Sequence, residues 1–195
     1  MIIAIAGGSS RIAKAYISDF CGDHDVLSYR SPVDLPVGAD RYLICSGVLH
    51  GKNLREISRE EAVETVEVNF LDVAKACDII IEANDYAKIC IIGSASGEQG
   101  SYDMAYAGAK SAIHTYVKHK RLRTAHQHLV AVAPWIVSDA GMSIRRKDFG
   151  QLLQRGERRR MGRWPTSQEV AQVMHFALNT PLMCNTVVEA KGGNW

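Results

Sequence analysis

No apolar run in the chain approaches the roughly 20 residues needed to span a bilayer. The apolar start, "MIIAIA", has no basic segment before it and is too short for a secretory signal. The five cysteines (Cys21, Cys45, Cys77, Cys90 and Cys184) form no CxxC pair. Most lie in apolar stretches, which points to reduced core residues and a cytoplasmic location without membrane attachment. Strong charge of either sign is also missing. The 23 basic and 21 acidic residues leave +2, which by itself implies no nucleic-acid partner. No internal repeat and no low-complexity tract interrupts the chain. The histidines are scattered, and His126 and His128 alternate across a strand start toward opposite faces, so no metal site is expected.

What is there is 195 residues, 47% of them hydrophobic, which suits a single domain over 1–195 with a sizeable core. Short apolar runs alternate with longer helical patterns. The strand candidates are "IIAIA" (2–6), "DVLSY" (25–29), "RYLICS" (41–46), "AKICIIG" (87–93), "HLVAVA" (128–133) and "TVVEA" (186–190). Helices are expected near 10–21, 59–84, 103–124 and 167–179. Capping boxes mark two helix starts, Ser58 with Glu61 and Thr166 with Glu169. Alternating strand and helix predicts an α/β fold, a parallel sheet with helices on both faces. The interval "RSPVDLPVGAD" between Tyr29 and Arg41 does not fit a full doubly wound domain. A crossover with its own helix needs at least about 10–12 residues, and two crossovers plus a strand need far more. Extended, the interval still spans roughly 33 Å, enough to pass to the other side of strand one. The expected sheet therefore has six parallel strands in the order 2-1-3-4-5-6.

Two stretches carry chemistry. "YAGAK" places Tyr106 and Lys110 on one helix face, at i and i+4. A free tyrosine titrates near 10 and is a poor acid–base catalyst at neutral pH. A neighbouring ammonium stabilises the phenolate, and lowering its pKa by about 3 units takes roughly 4 kcal/mol. Upstream, "ICIIGSASGEQG" ends a strand at Gly93, with Ser94 and Ser96 just past its carboxyl end. Open parallel sheets bind ligands there. A serine so placed can hydrogen-bond a substrate carbonyl while a tyrosine donates its proton.

With these residues in place, the chain resembles a short-chain dehydrogenase/reductase over nearly its whole length. "AGGSSRIA" resembles the family's TGxxxGxG turn, with Ala6 and Gly7 at its start. "CSGVL" (45–49) is similar to the NAG strand end, and "VNFLDV" (68–73) to the helix carrying the active-site asparagine, here Asn69. "GSASGEQG" resembles the serine segment, with Ser94 twelve residues before Tyr106. "VAVAPWIVSD" (130–139) resembles the segment flanking the nicotinamide, and "GRWPTSQEVAQVMHFAL" with "NTVVEAKGG" the closing helix and strand.

The resemblance implies a three-layer, Rossmann-type doubly wound sheet and a tetrad. Tyr106 would be the general acid or base, Lys110 would lower its pKa and hold the nicotinamide ribose, and Ser94 would orient the carbonyl. Asn69 would hold a water that relays protons to Lys110. The implied cofactor path runs over Gly7, Ser9, Ser10, Arg11 and Ile12 at a helix N-terminus. It continues past Arg30, Ser46 and Gly47, then Pro134, Ile136 and Val137, and ends at Tyr106 and Lys110.

Four features depart from the family. Arg11 replaces the middle glycine of the turn and Ala13 the last, Trp135 stands where a glycine follows Pro134, and a strand is missing. Alanine is tolerated at the last position, which serves helix–strand packing. Arg11 and Arg30, with no carboxylate at 28–30, favour a 2′-phosphate and hence NADP(H) over NAD(H). The segment about 139–165, expected as the substrate lid, is rich in arginine (Arg145, Arg146, Arg155, Arg158, Arg159, Arg160, Arg163). That pattern fits a solvated face, or an anionic substrate or partner. It carries too few aromatics for nucleic acid. The expectation is an NADP(H)-dependent oxidoreductase moving hydride between the nicotinamide and a small carbonyl or alcohol. The resemblance implies a homodimer or homotetramer through the helices at 59–84 and 103–124, which are long enough to pair with a second subunit. The alternative is a non-catalytic NADP-binding sensor or interaction protein on the same fold.

Overall fold

The computed structural model describes residues 1–193. Six strands form one parallel sheet: β1 Ile2–Ala6, β2 Asp25–Tyr29, β3 Arg41–Ile44, β4 Lys88–Ile92, β5 His128–Pro134 and β6 Thr186–Ala190. Their spatial order is β2-β1-β3-β4-β5-β6, as the short interval after Tyr29 requires. Ala6 lies beside both Tyr29 and Ile44, and Ile44 beside Ile91, so the strands end along one carboxyl edge. The helices are α1 Arg11–Phe20, α2 Arg59–Val66, α3 Asp72–Ala83, α4 Ser96–Gln99, α5 Met104–His119, α6 Gly141–Ile144, α7 Phe149–Glu157 and α8 Ser167–Asn179.

The inner strands read as largely apolar runs because both faces of the sheet are covered there, whereas edge strand β2 is mostly exposed. Alternate residues divide between two cores. Ala4, Tyr42, Ile44, Ile89, Ile91 and Leu129 face α3 and α5, where Val73, Cys77, Ile80, Ile113 and Val117 meet them. Ile3, Ile5, Leu43, Cys90, Val130 and Val132 face α1 and α8, against Ile12, Tyr16, Val170, Met174 and Leu178. All five cysteines are free; Cys21, Cys77 and Cys90 are buried, and Cys45 and Cys184 half-buried. Among the described residues no helix is long and apolar enough to cross a membrane.

Two expectations need correction. The helix expected over 59–84 is interrupted by a π-helical turn, Glu67–Leu71, between α2 and α3. The extra residue per turn lets Asn69 sit buried, its amide donating to the carbonyls of Val48 (2.8 Å) and Thr65 (2.9 Å). The helix expected to reach residue 124 stops at His119. There the Gln127 side chain takes the Arg123 N–H (2.7 Å) and donates to the carbonyls of Ile81 and Asn84, fixing a non-helical path. The interval after β2 holds a single 3-10 turn, Pro32–Asp34. Its buried Leu35 and Ala39 pack on α3. Asn84 donates to the carbonyls of Val37 and Ala39 to hold it there.

Candidate active site

A cleft of about 1000 Å³ opens along the carboxyl edge of the sheet. Fourteen of the fifteen singled-out residues line it: Gly7, Ser9, Ser10, Arg11, Ile12, Arg30, Ser46, Gly47, Ser94, Tyr106, Lys110, Pro134, Ile136 and Val137 come to its wall, and Asn69 does not.

At one end, β1 turns into α1. Gly7 has φ +74°, and a Cβ there would lie 2.5 Å from the Ser46 backbone nitrogen. Only glycine allows this turn to pass so close to the end of β3. The Gly7 N–H donates to the Tyr29 carbonyl (2.9 Å), tying the turn to β2. Ser10 is the N-cap of α1, its hydroxyl accepting from the Ala13 N–H (3.1 Å). The amides of Arg11 and Ile12 then remain as first-turn donors without intrahelical partners, an anion site at the positive end of a helix dipole. The side chains of Arg11 and Arg30 are exposed, line the cleft, and make no hydrogen bond or ion pair among the described residues.

The centre is built on β4 and α5. Asp103 caps α5, one carboxylate oxygen accepting from the Tyr106 N–H (3.0 Å) and the other from the Gly51 N–H (2.9 Å). This fixes Tyr106 in the first turn and Lys110 one turn on. Lys110 is buried, and its Nζ donates to the Ile92 carbonyl (2.9 Å). Nζ lies 5.7 Å from the centre of the Tyr106 ring. Burial pulls the Lys110 pKa down to about 8, so the amine is still mostly an ammonium at neutral pH.

Burial pushes the Tyr106 phenol above its ordinary value, while a hydrogen bond with Ser94 draws it down. The neighbouring ammonium is expected to lower this pKa. In the chain by itself burial outweighs everything else, and the phenol keeps its proton at neutral pH. Burial also lifts the Cys45 thiol beside the site to about 12, so it is no nucleophile.

Asn69 lies beneath the wall. Its Oδ1 is buried without a hydrogen-bond partner among the described residues, as is the Ser46 hydroxyl. A Cβ on Gly47 would stand 2.9 Å from Asn69 Oδ1 and 4.0 Å from Lys110 Nζ. The bare glycine leaves that cradle open above a buried acceptor and an ammonium. A polyanionic dinucleotide fits these residues: the amides and arginines at one end, the cradle and Lys110 at the other.

The expected lid segment forms α6 and α7. Its arginines divide by role. Arg146 pairs with Asp148 (2.9 and 3.0 Å), and Arg163 with Glu169 (2.7 and 2.8 Å). The Arg159 guanidinium lies over Trp135, 4.0 Å from its ring centre, and 5.2 Å from that of Trp164. Trp135, the departure that follows Pro134, lines the cleft with one face stacked on its own chain. Trp164 Nε1 donates to the Leu152 carbonyl (2.5 Å), pinning α7 down. Arg145 and Arg155 line the cleft, as does Arg146 beside them. In all, seven cationic side chains line it (Arg11, Lys14, Arg30, Lys110, Arg145, Arg146, Arg155) against two carboxylates, Glu64 and Asp72.

Sequence reasoning missed Met142, whose methyl lies 3.4 Å from where a Gly47 Cβ would stand, and His114 behind Ser94. For His114 the available signal was a histidine one helical turn past Lys110.

No protein-family model matches the chain, and no curated protein matches it. Solved structures do. A short-chain dehydrogenase/reductase from Brucella melitensis superposes with TM-score 0.83 at 14% identity, covering 100% of this chain and 96% of that one. A 3-oxoacyl (acyl-carrier-protein) reductase from Agrobacterium tumefaciens C58 with NADP bound gives 0.79 at 17% identity, covering 98% and 93%. The 3-alpha-hydroxysteroid dehydrogenase of Pseudomonas sp. B-0831, complexed with NADH, gives 0.76 at 20% identity, covering 99% and 96%. The chain therefore has the doubly wound α/β fold of these dehydrogenases and reductases, its cleft at the same carboxyl edge where open parallel sheets hold their ligands.

Proposed function

We propose that the chain is an NADP(H)-dependent oxidoreductase of the short-chain dehydrogenase/reductase family, acting on a small carbonyl or alcohol that carries an anionic group. The observation that carries this reading is the convergence of Ser94, Tyr106 and buried Lys110 on one wall of the cleft. Solved structures of the same fold, with NADP or NADH bound, support it. A bound nicotinamide would supply or accept the hydride. The chain supplies the proton: Tyr106, neutral at pH 7, is placed as the acid for a carbonyl oxygen that Ser94 orients. The Lys110 ammonium stabilises the phenolate left behind. Asn69, with its buried free acceptor, would link Lys110 to a water on the path to solvent.

Arg11 and Arg30 support a preference for a 2′-phosphate. Arg145 and Arg155, on the lid side of the cleft, support an anionic substrate. Exposed Val63, Val66 and Leu71 on α2 and the π-turn support self-association into a dimer or tetramer. Equilibrium binding of NADPH and NADH tests the reading, together with Tyr106→Phe. Selective NADPH binding that survives Tyr106→Phe while carbonyl reduction is lost is the expected result. An output unchanged by Tyr106→Phe would favour a non-catalytic NADP-binding sensor. Failure to bind either nucleotide would overturn both.

A further inference from the structure

The imidazole of His114 is buried directly behind the serine of the proposed catalytic set. Its Nε2 accepts a hydrogen bond from the Ser94 backbone N–H (3.3 Å). The ring fits there because two glycines flank it. A Cβ on Gly93 would lie 2.6 Å from Nε2, and one on Gly97 would lie 2.9 Å from Cε1. Ser94 is thereby held at three points. Its N–H goes to His114, its carbonyl accepts from the Gly97 N–H (3.0 Å), and its hydroxyl oxygen accepts from the Ser96 N–H (3.2 Å). The hydroxyl proton remains for Tyr106 or a carbonyl oxygen.

We infer that His114 is a positioning residue: its neutral imidazole, as acceptor for the Ser94 N–H, sets the angle at which the Ser94 hydroxyl meets Tyr106. A backbone N–H can only donate, so Nε2 must carry a lone pair and the ring proton must sit on Nδ1. Burial, with Lys110 and Lys118 nearby, holds the His114 pKa down near 4, which keeps the acceptor available at neutral pH. Glu98 and Lys191 also face the ring, with opposing effects. The catalytic part of this inference rests on the reductase reading; the hydrogen bond itself does not.

The test uses the full-length protein with NADPH present and two variants, His114→Leu and His114→Gln. Leucine fills the slot without an acceptor, and glutamine returns an oxygen near the Nε2 position. Imidazole 15N spectra at pH 7 should show His114 neutral with the proton on Nδ1. Amide exchange at Ser94 should speed up in His114→Leu and recover in His114→Gln. The turnover number for carbonyl reduction should fall at least about tenfold in His114→Leu with the KM for NADPH unchanged, as expected for a misplaced catalytic group. His114→Gln should restore most of it. An Nε2-protonated neutral ring, or a folded His114→Leu with native Ser94 exchange, overturns the inference. Native turnover in His114→Leu also overturns it. If the native protein reduces no carbonyl while the spectra and exchange behave as expected, the reductase reading fails and the hydrogen bond stands.

Discussion

Replacing Lys110 with methionine should abolish the proposed turnover and make the stability of the variant relative to the native protein depend on pH. Lys110 is buried, and desolvation lowers its pKa from an ordinary 10.5 to about 8. The unfolded chain keeps the ordinary value, so protonation favours unfolding. That penalty is complete below pH 8, where it reaches about 3 kcal/mol at 1.36 kcal/mol per pH unit. It fades as the pH climbs from 8 toward 10.5. Methionine has a similar volume and no charge, so it escapes the penalty. It also loses the hydrogen bond to the Ile92 carbonyl, worth about 1.5–3 kcal/mol for a charged donor. These two effects nearly offset at neutral pH, and the pH dependence is the sharper quantity. Between pH 7 and pH 9.5 the stability of the variant relative to the native protein should drop by about 2 kcal/mol. Urea unfolding of both proteins at the two pH values, with equal m slopes, measures this. A relative stability that does not change across the window would mean that Lys110 titrates normally, and the desolvated ammonium at the heart of the site would be refuted.

Gly7→Ala forces a Cβ to 2.5 Å from the Ser46 nitrogen at a positive φ, and should cost about 2–4 kcal/mol in urea unfolding. A loss under about 0.5 kcal/mol would show that the turn relaxes freely. Thr166→Ala breaks the capping box in which the Glu169 carboxylate takes the Thr166 N–H (2.8 Å) and the Thr166 hydroxyl takes the Glu169 N–H (3.3 Å). It should cost about 1 kcal/mol, read as a lower thermal midpoint. Arg159→Ala uncovers the faces of Trp135 and Trp164. It should red-shift the tryptophan emission and cost about 1 kcal/mol, and an unchanged spectrum would count against the stack.

The parts legible in the sequence are those where one physical rule dominates. Apolar runs such as "IIAIA" and "HLVAVA" can be covered on both faces only in a parallel sheet, and eleven residues after Tyr29 are too few for two crossovers with a strand. The spacing of Tyr106 and Lys110 places both on one helix face, and both reach the cleft. The parts that stayed hidden depend on contacts distant in the chain. No glycine or proline marks the π-turn; Asn69 earns its place there through the Val48 carbonyl, 21 residues away. The helix end at His119 is set by Gln127 and the far end of α3. The arginines of 145–163 look alike in sequence, and only the fold shows that Arg146 and Arg163 pair with Asp148 and Glu169, that Arg159 stacks on Trp135, and that Arg145, Arg146 and Arg155 line the cleft. His114 looked like one scattered histidine because the two glycines that make room for it lie some twenty residues earlier.

The excess of cations along the cleft also bears on kinetics. Charges of one sign on the walls of a concave, poorly polarisable groove concentrate their field in its mouth. A doubly or triply charged ligand would be drawn down that gradient before it makes any contact, and would arrive faster than its size alone allows. Added salt screens exposed Arg11 and Arg30 over a Debye length of about 8 Å at physiological ionic strength, and leaves buried Lys110 far less affected. Ionic strength should therefore act mainly on the rate of capture, while the proton transfer proposed for the floor of the groove should be insulated from it.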